Sequence, residues 1–114
     1  MKKLRMWSLN TVTRKKMTNN LNTVLLEGKL KNKPEMLANR VCEMTILNTV
    51  NDEDSEFNAV VAGNVAETCM KVLKKGSEIR LVGKLRQFNM INHHGLVSKT
   101  QVLVEHIEFI PKVG

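Results

Sequence analysis

The sequence predicts a mainly β domain, a five-stranded Greek-key barrel with one α-helix between its third and fourth strands. Three observations carry this. Apolar residues recur mostly with a period of two. One stretch, Gly63 to Gly76, switches to helical spacing. Two long strand patterns flank a turn at Asn92-His93-His94-Gly95 near the end of the chain.

Residues 1–17 differ from everything after them. They are basic, rich in polar residues and carry the single Trp, Trp7. The segment reads as a flexible arm that adds phosphate contacts; if translation starts at Met17 instead, residues 1–16 are never made. The folded domain is expected over residues 18–112, beginning in earnest around Leu21.

From there, Asn22 to Leu30 is rich in Val and Leu, and Lys31-Asn32-Lys33-Pro34 breaks it because proline cannot donate to a ladder. Arg40 to Val50 alternates, with Cys42, Met44 and Ile46 on one side and Glu43, Thr45 and Leu47 on the other. Asn51 to Ser55 is expected to be a solvated acidic loop, and Glu56 to Ala62 a further short strand. In the helical stretch, Val65, Cys69, Val72 and Leu73 fall on one face. Asn64 is placed as N-cap, lysines fill the last turn, and Gly76 is the stop. Glu78 to Met90 forms the fourth strand, Asn92 to Gly95 the hairpin turn, and Val97 to Ile110 the last strand before Pro111. Three strands, a helix and a long hairpin is the order of an OB-fold; pattern alone leaves an SH3-like barrel or a plain sandwich open.

Composition bounds the function. A chain of 114 residues supports one modest core. Its 42% hydrophobic and 25% charged content is that of a globular protein. No apolar run approaches the ~20 residues of a membrane span, and no continuous apolar stretch resembles a secretory signal, so a cytoplasmic protein is expected. Cys42 and Cys69 are too few for a disulfide framework, match no zinc spacing, and read as inert reduced residues. The formal net charge of +7 is unevenly placed. Lys2, Lys3, Arg5, Arg14, Lys15 and Lys16 contribute +6 with no acid nearby, while 12 basic and 11 acidic residues share the remainder. Attraction of a polyanion by the domain therefore requires local patches rather than a global field.

The fourth strand supplies such a patch. Its odd positions, Ile79, Leu81, Gly83 and Leu85, suit a core. Its even positions read Arg80, Val82, Lys84, Arg86, Phe88 and Met90, a cationic track running into two groups on which bases can stack. The plain alternative is a solvated strand face. Phe57, after the polar segment, is either a stacking residue or a core plug; Phe109, between Ile107 and Ile110, reads as core. His93 and His94 lack a third ligand and read as turn residues. Asp52, Glu53, Asp54 and Glu56 lack the spacing and interior glycine of a calcium loop. No nucleophile elbow, phosphate-cradling loop or catalytic carboxylate pair is present, so neither enzymatic activity nor a cofactor or metal is expected.

Three segments resemble the bacterial single-stranded DNA-binding protein family. These are Asn22-Thr23-Val24-Leu25-Leu26-Glu27-Gly28-Lys29-Leu30, Glu56-Phe57-Asn58-Ala59-Val60-Val61-Ala62-Gly63, and the run from Leu73-Lys74-Lys75-Gly76-Ser77 to Lys84-Leu85-Arg86. The resemblance covers about residues 20–110 in unbroken order. It implies an OB-fold that assembles as a homodimer or homotetramer and wraps single-stranded DNA in replication, repair and recombination. Phe57 then stands at a family stacking position, Met90 at another, and Arg86 and Lys75 at positions often basic. Lys29, Lys75, Arg80, Lys84 and Arg86 are expected along the phosphates, with Phe57, Phe88 and Met90 against the bases.

The departures weaken stacking: there is no Tyr, the Trp lies outside the matched region, a further aromatic position near Asp52 is acidic, and Ala62 stands where an aromatic is common. The glycine-rich linker and acidic tail of that family are absent from this sequence, which makes it resemble a tailless form, of plasmid or phage type. These losses also fit a second relative on the same fold, the dimeric primosomal replication protein. Its resemblance extends to Val104-Glu105-His106-Ile107-Glu108-Phe109-Ile110 and implies an adaptor for replication-restart proteins.

Overall fold

The computed structural model describes residues 19–111. The basic segment 1–17 lies outside them. Strands β1 (Val24–Leu30), β2 (Glu35–Ala38), β3 (Val41–Val50), β4 (Glu53–Ala62), β5 (Glu78–Asn92) and β6 (Gly95–Ile110) follow in chain order, with helix α1 (Asn64–Val72) between β4 and β5. The sheet runs β1-β5-β6-β4-β3-β2 and closes through a β1–β3 pairing. Five strands thus form the predicted barrel, with the expected OB-fold arrangement. β2 is additional: it occupies the edge of β3 at Val41–Glu43, leaving Ile46 and Leu47 of the same edge to pair with β1. The helix therefore follows the fourth strand in this numbering, although it occupies the expected place in the barrel.

Closure demands that backbones approach closely at two points. A Cβ on Gly28 would run into the carbonyl oxygen of Leu47, and one on Gly83 into that of Leu103. Glycine is required at both because no side chain fits there. Gly83 also marks a register shift: Val82 faces His106 but Gly83 faces Val104, so Glu105 is an extra residue in β6. Leu30, Met44, Ile46, Val61, Ile79, Leu81 and Val102 fill the interior, and Phe109 packs against them as predicted. Cys42 and Cys69 are free and buried within the same core. Burial pushes both thiols up, Cys69 to about 11.

Three local expectations are corrected. The acidic segment is paired strand rather than loop. Asn51 (φ 53°) and Asp52 (φ 65°) both adopt left-handed backbone, making a two-residue hairpin turn, and β4 begins at Glu53. Its acids sit within the ladder, Glu53 opposite Val50, Asp54 opposite Thr49 and Glu56 opposite Leu47, and the Thr49 hydroxyl donates to Asp54. In α1 the buried residues are Ala66 and Cys69, with Met70 packed beside them and the C-cap Leu73 buried just beyond, while Val65 and Val72 face outward. The stripe is rotated because the helix seats over β3 and β4, and small Ala66 fits there. The N-cap is Gly63 (φ 81°), not Asn64, whose side-chain oxygen instead accepts from Arg40. The helix exit is pinned to the barrel by Gly76 N–H to Leu30 O (2.9 Å) and Leu30 N–H to Ser77 O (2.9 Å). No helix among the described residues is long and apolar enough to cross a membrane.

Candidate nucleic-acid interface

The hairpin of β5 and β6 is longer than the barrel it helps to close. Its ladder continues from Glu78↔Ile110 to Asn92↔Gly95, and His93-His94 form the tip, where His94 N–H donates to the Asn92 side chain (2.8 Å). Between these ends the side-chain environment changes. Ile79 and Leu81 are fully buried, but Leu85, predicted as the next core position, is half exposed. The reason is geometric: beyond Gly83 the inward row of β5 emerges at the mouth of the barrel. β4 behaves in the same way. Phe57 stands opposite Ile46 and shares a face with Ala59 and Val61, so it belongs to the inward row, yet it is 39% exposed. Phe57 is thus neither a fully buried plug nor a fully exposed side chain.

Phe57 and Leu85 line a depression of about 380 Å³ with Glu56, Asn58, Lys99, Thr100, Gln101 and Val102. Phe88 and Met90 line a second, of about 280 Å³, with Glu43, Asn58, Lys99 and Thr100. Asn58, Lys99 and Thr100 are common to both, so the two are contiguous. Between them the Gln101 amide donates to Asn58 Oδ1 (3.2 Å), which accounts for a buried polar side chain at position 101. Arg86 faces Gln101 across the ladder, on the side of β5 that carries Phe88 and Met90.

The other predicted cations lie elsewhere. Lys29 and Arg80 line a third depression of about 380 Å³ that also holds Glu27, Asn48 and Glu78 and shares no residue with the first two. Lys75 sits in the exposed turn after α1. Arg80 is held by Glu27 (2.9 Å) and Glu108 (3.5 Å), and Lys84 by Glu105 (3.3 Å). Among the described residues Lys29, Lys75, Arg86 and Lys99 have no carboxylate in salt-bridge range, whereas Lys31 pairs with Glu56 (2.7 Å). The eight predicted residues therefore divide: Phe57, Arg86, Phe88 and Met90 gather on or beside the two joined depressions, while Lys29, Lys75, Arg80 and Lys84 do not line them.

Sequence reasoning missed Lys99, Asn58 and Gln101. A signal for Lys99 existed. A two-residue turn at His93-His94 sets a register in which Phe88 and Lys99 are direct partners, as the ladder has them. Nothing in the sequence announced that β6 would also pair in parallel with β4, through Ala59↔Val102 and Val60↔Leu103. That pairing brings Asn58 beside Gln101.

An exposed aromatic and thioether surface floored by amides, with cations free of carboxylates beside it, is suited to an unpaired polyanion whose bases can lie flat. No curated protein matches the chain. Residues 21–110 match the model of the single-strand binding protein family, the whole span from three residues before β1 to the end of β6. With a barrel of the expected topology over that span, the chain belongs to the single-strand binding protein family.

Proposed function

We propose that this protein binds single-stranded DNA without sequence preference and without catalysis, through backbone charge contacts and base stacking, in replication, repair and recombination. The observation that carries the reading is the distal β5–β6 hairpin. There Phe88 and Met90, joined to Phe57 through a shared wall, lie beside two cations, Arg86 and Lys99, that no carboxylate among the described residues neutralises. Stacked and paired bases cannot reach such side chains, which supports a preference for the single strand. The family membership supports a homodimeric or homotetrameric cytoplasmic protein associated with the nucleoid. The division into a basic segment 1–17 and a binding domain 18–112 belongs to the same proposal, with the +6 segment adding phosphate contacts.

The test is fluorescence anisotropy of labelled poly-dT, with duplex of equal length, at low and high salt. Tight binding to the single strand that tolerates salt is expected. Replacing both Phe57 and Phe88 with Ala should weaken it by about 1–3 kcal/mol per stacked base without unfolding the domain. Equal affinity for duplex and single strand would overturn the reading.

One observation favours a second reading. Of the three phenylalanines Phe109 is committed to the core, so only Phe57 and Phe88 remain as aromatic platforms among the described residues. So few platforms fit a primosomal adaptor that works with replication-restart proteins. That reading predicts weak binding that vanishes as salt rises, because counterion release without stacking is fully screened.

A further inference from the structure

Lys99 occupies a place that none of the other cations shares. It lines both joined depressions, the one walled by Phe57 and Leu85 and the one walled by Phe88 and Met90. It stands directly opposite Phe88 in the ladder. It is exposed, and among the described residues no carboxylate lies in salt-bridge range of it. Two carboxylates do line the same surface. Glu56, in the first depression, is engaged by Lys31 at 2.7 Å; Glu43, in the second, has no ion pair among the described residues. Among the described residues, the unpaired ammonium at the shared wall is thus the single positive group common to both depressions.

We infer that Lys99 is the phosphate contact between two base-binding positions, so that one dinucleotide step of a single strand straddles it with one base toward Phe57 and the next toward Phe88 and Met90. This rests on the single-strand reading above. The physical argument is spatial. Successive bases of an unpaired strand are joined by one phosphate, so a surface that holds two neighbouring bases must meet that phosphate between them. A cation at that point couples the two positions: removing it weakens both, whereas a cation at the rim, such as Arg86, adds affinity without linking them. Asn58 and Gln101, held to each other at 3.2 Å, keep the floor between the two positions fixed.

The experiment is a titration of labelled oligo-dT by anisotropy over a range of salt, for the wild-type chain and for Lys99→Ala, Lys99→Arg, Phe57→Ala, Phe88→Ala and the double variants with Lys99→Ala. Lys99→Ala should lower affinity about three- to tenfold at low salt and reduce the slope of log K against log salt by about 0.7, the single-strand value for one phosphate. Lys99→Arg should restore the slope. The cycles should show coupling of Lys99 to both Phe57 and Phe88. Because Lys99 is exposed, its variants should melt with the wild-type protein.

An unchanged slope in Lys99→Ala, with Phe57→Ala and Phe88→Ala still weakened, overturns the inference and leaves the single-strand reading standing. Coupling to Phe88 alone overturns the bridging role. A wild-type chain that ignores oligo-dT overturns the inference together with the reading beneath it.

Discussion

The two halves of the β5–β6 hairpin are built from the same alternating pattern and do opposite work. In the half next to the barrel, residues 78–84 with 103–110, the inward row is buried and the outward cations are spoken for. Arg80 bridges Glu27 and Glu108, and Lys84 meets Glu105. In the distal half, residues 85–101, Leu85, Ile91 and Leu96 are at least half exposed, and among the described residues Arg86 and Lys99 have no acidic partner. The register shift at Gly83 and Glu105 lies at the boundary. The same residue types therefore stabilise a barrel on one side of it and present a surface on the other, and the deciding factor is whether a second layer of chain lies opposite.

The largest expected effect tests that division through stability. Leu81→Ala should cost about 2–5 kcal/mol, because it opens a cavity among Leu30, Ile46 and Ile79. Leu85→Ala, two residues further along the same row, should cost less than about 1 kcal/mol because half of its surface is already in water. Urea denaturation of the two variants measures this. Equal losses would mean that the barrel's core continues into the distal half.

The charges give a smaller, complementary contrast. Arg86→Ala should weaken oligo-dT binding and flatten its salt dependence by about 0.7 in slope, since it removes a cation free to meet phosphate. Arg80→Ala should change the slope by less, because Glu27 and Glu108 already screen it, and should alter stability by no more than about 1 kcal/mol, as exposed ion pairs do. Anisotropy at graded salt separates the two. If Arg80→Ala matches Arg86→Ala, the DNA path also crosses the depression shared with Lys29, and the proximal half is part of the interface.

The sequence carried the barrel because its strands alternate and its helix changes period, and both signals survive without knowledge of partners. It also carried Phe88, Met90 and Arg86, which share one face of one strand. It misread what depends on contacts between distant segments. Leu85 satisfies the core pattern, yet no layer covers it. Val65 and Val72 are larger than Ala66 and Cys69, but the seat is taken by the smaller pair with Met70 beside them. The acidic run at Asn51 to Ser55 reads as loop by composition, and only the left-handed pair Asn51-Asp52 shows that the chain turns at once and pairs. Arg80 and Lys84 looked like Arg86 because Glu27, Glu105 and Glu108 arrive from other strands or from beyond the bulge. Local pattern gives orientation; it does not give the neighbour.

Glu43 provides the finest test of the distal surface. Its carboxylate belongs to β3, lines the depression of Phe88, Met90 and Lys99, and lies directly opposite Glu35 of β2 without an ion pair among the described residues. Two like charges facing each other across a ladder are mildly destabilising, and a negative group beside a phosphate path opposes binding. Glu43→Gln keeps the shape and removes the charge. It should raise oligo-dT affinity about twofold at low salt, with the gain fading as salt approaches the range where the Debye length falls below ~8 Å. It should also leave the protein slightly more stable in urea, by a few tenths of a kcal/mol. A loss of affinity would mean that Glu43 orients Lys99 rather than opposing the ligand, and would place an acid among the groups that shape the binding surface.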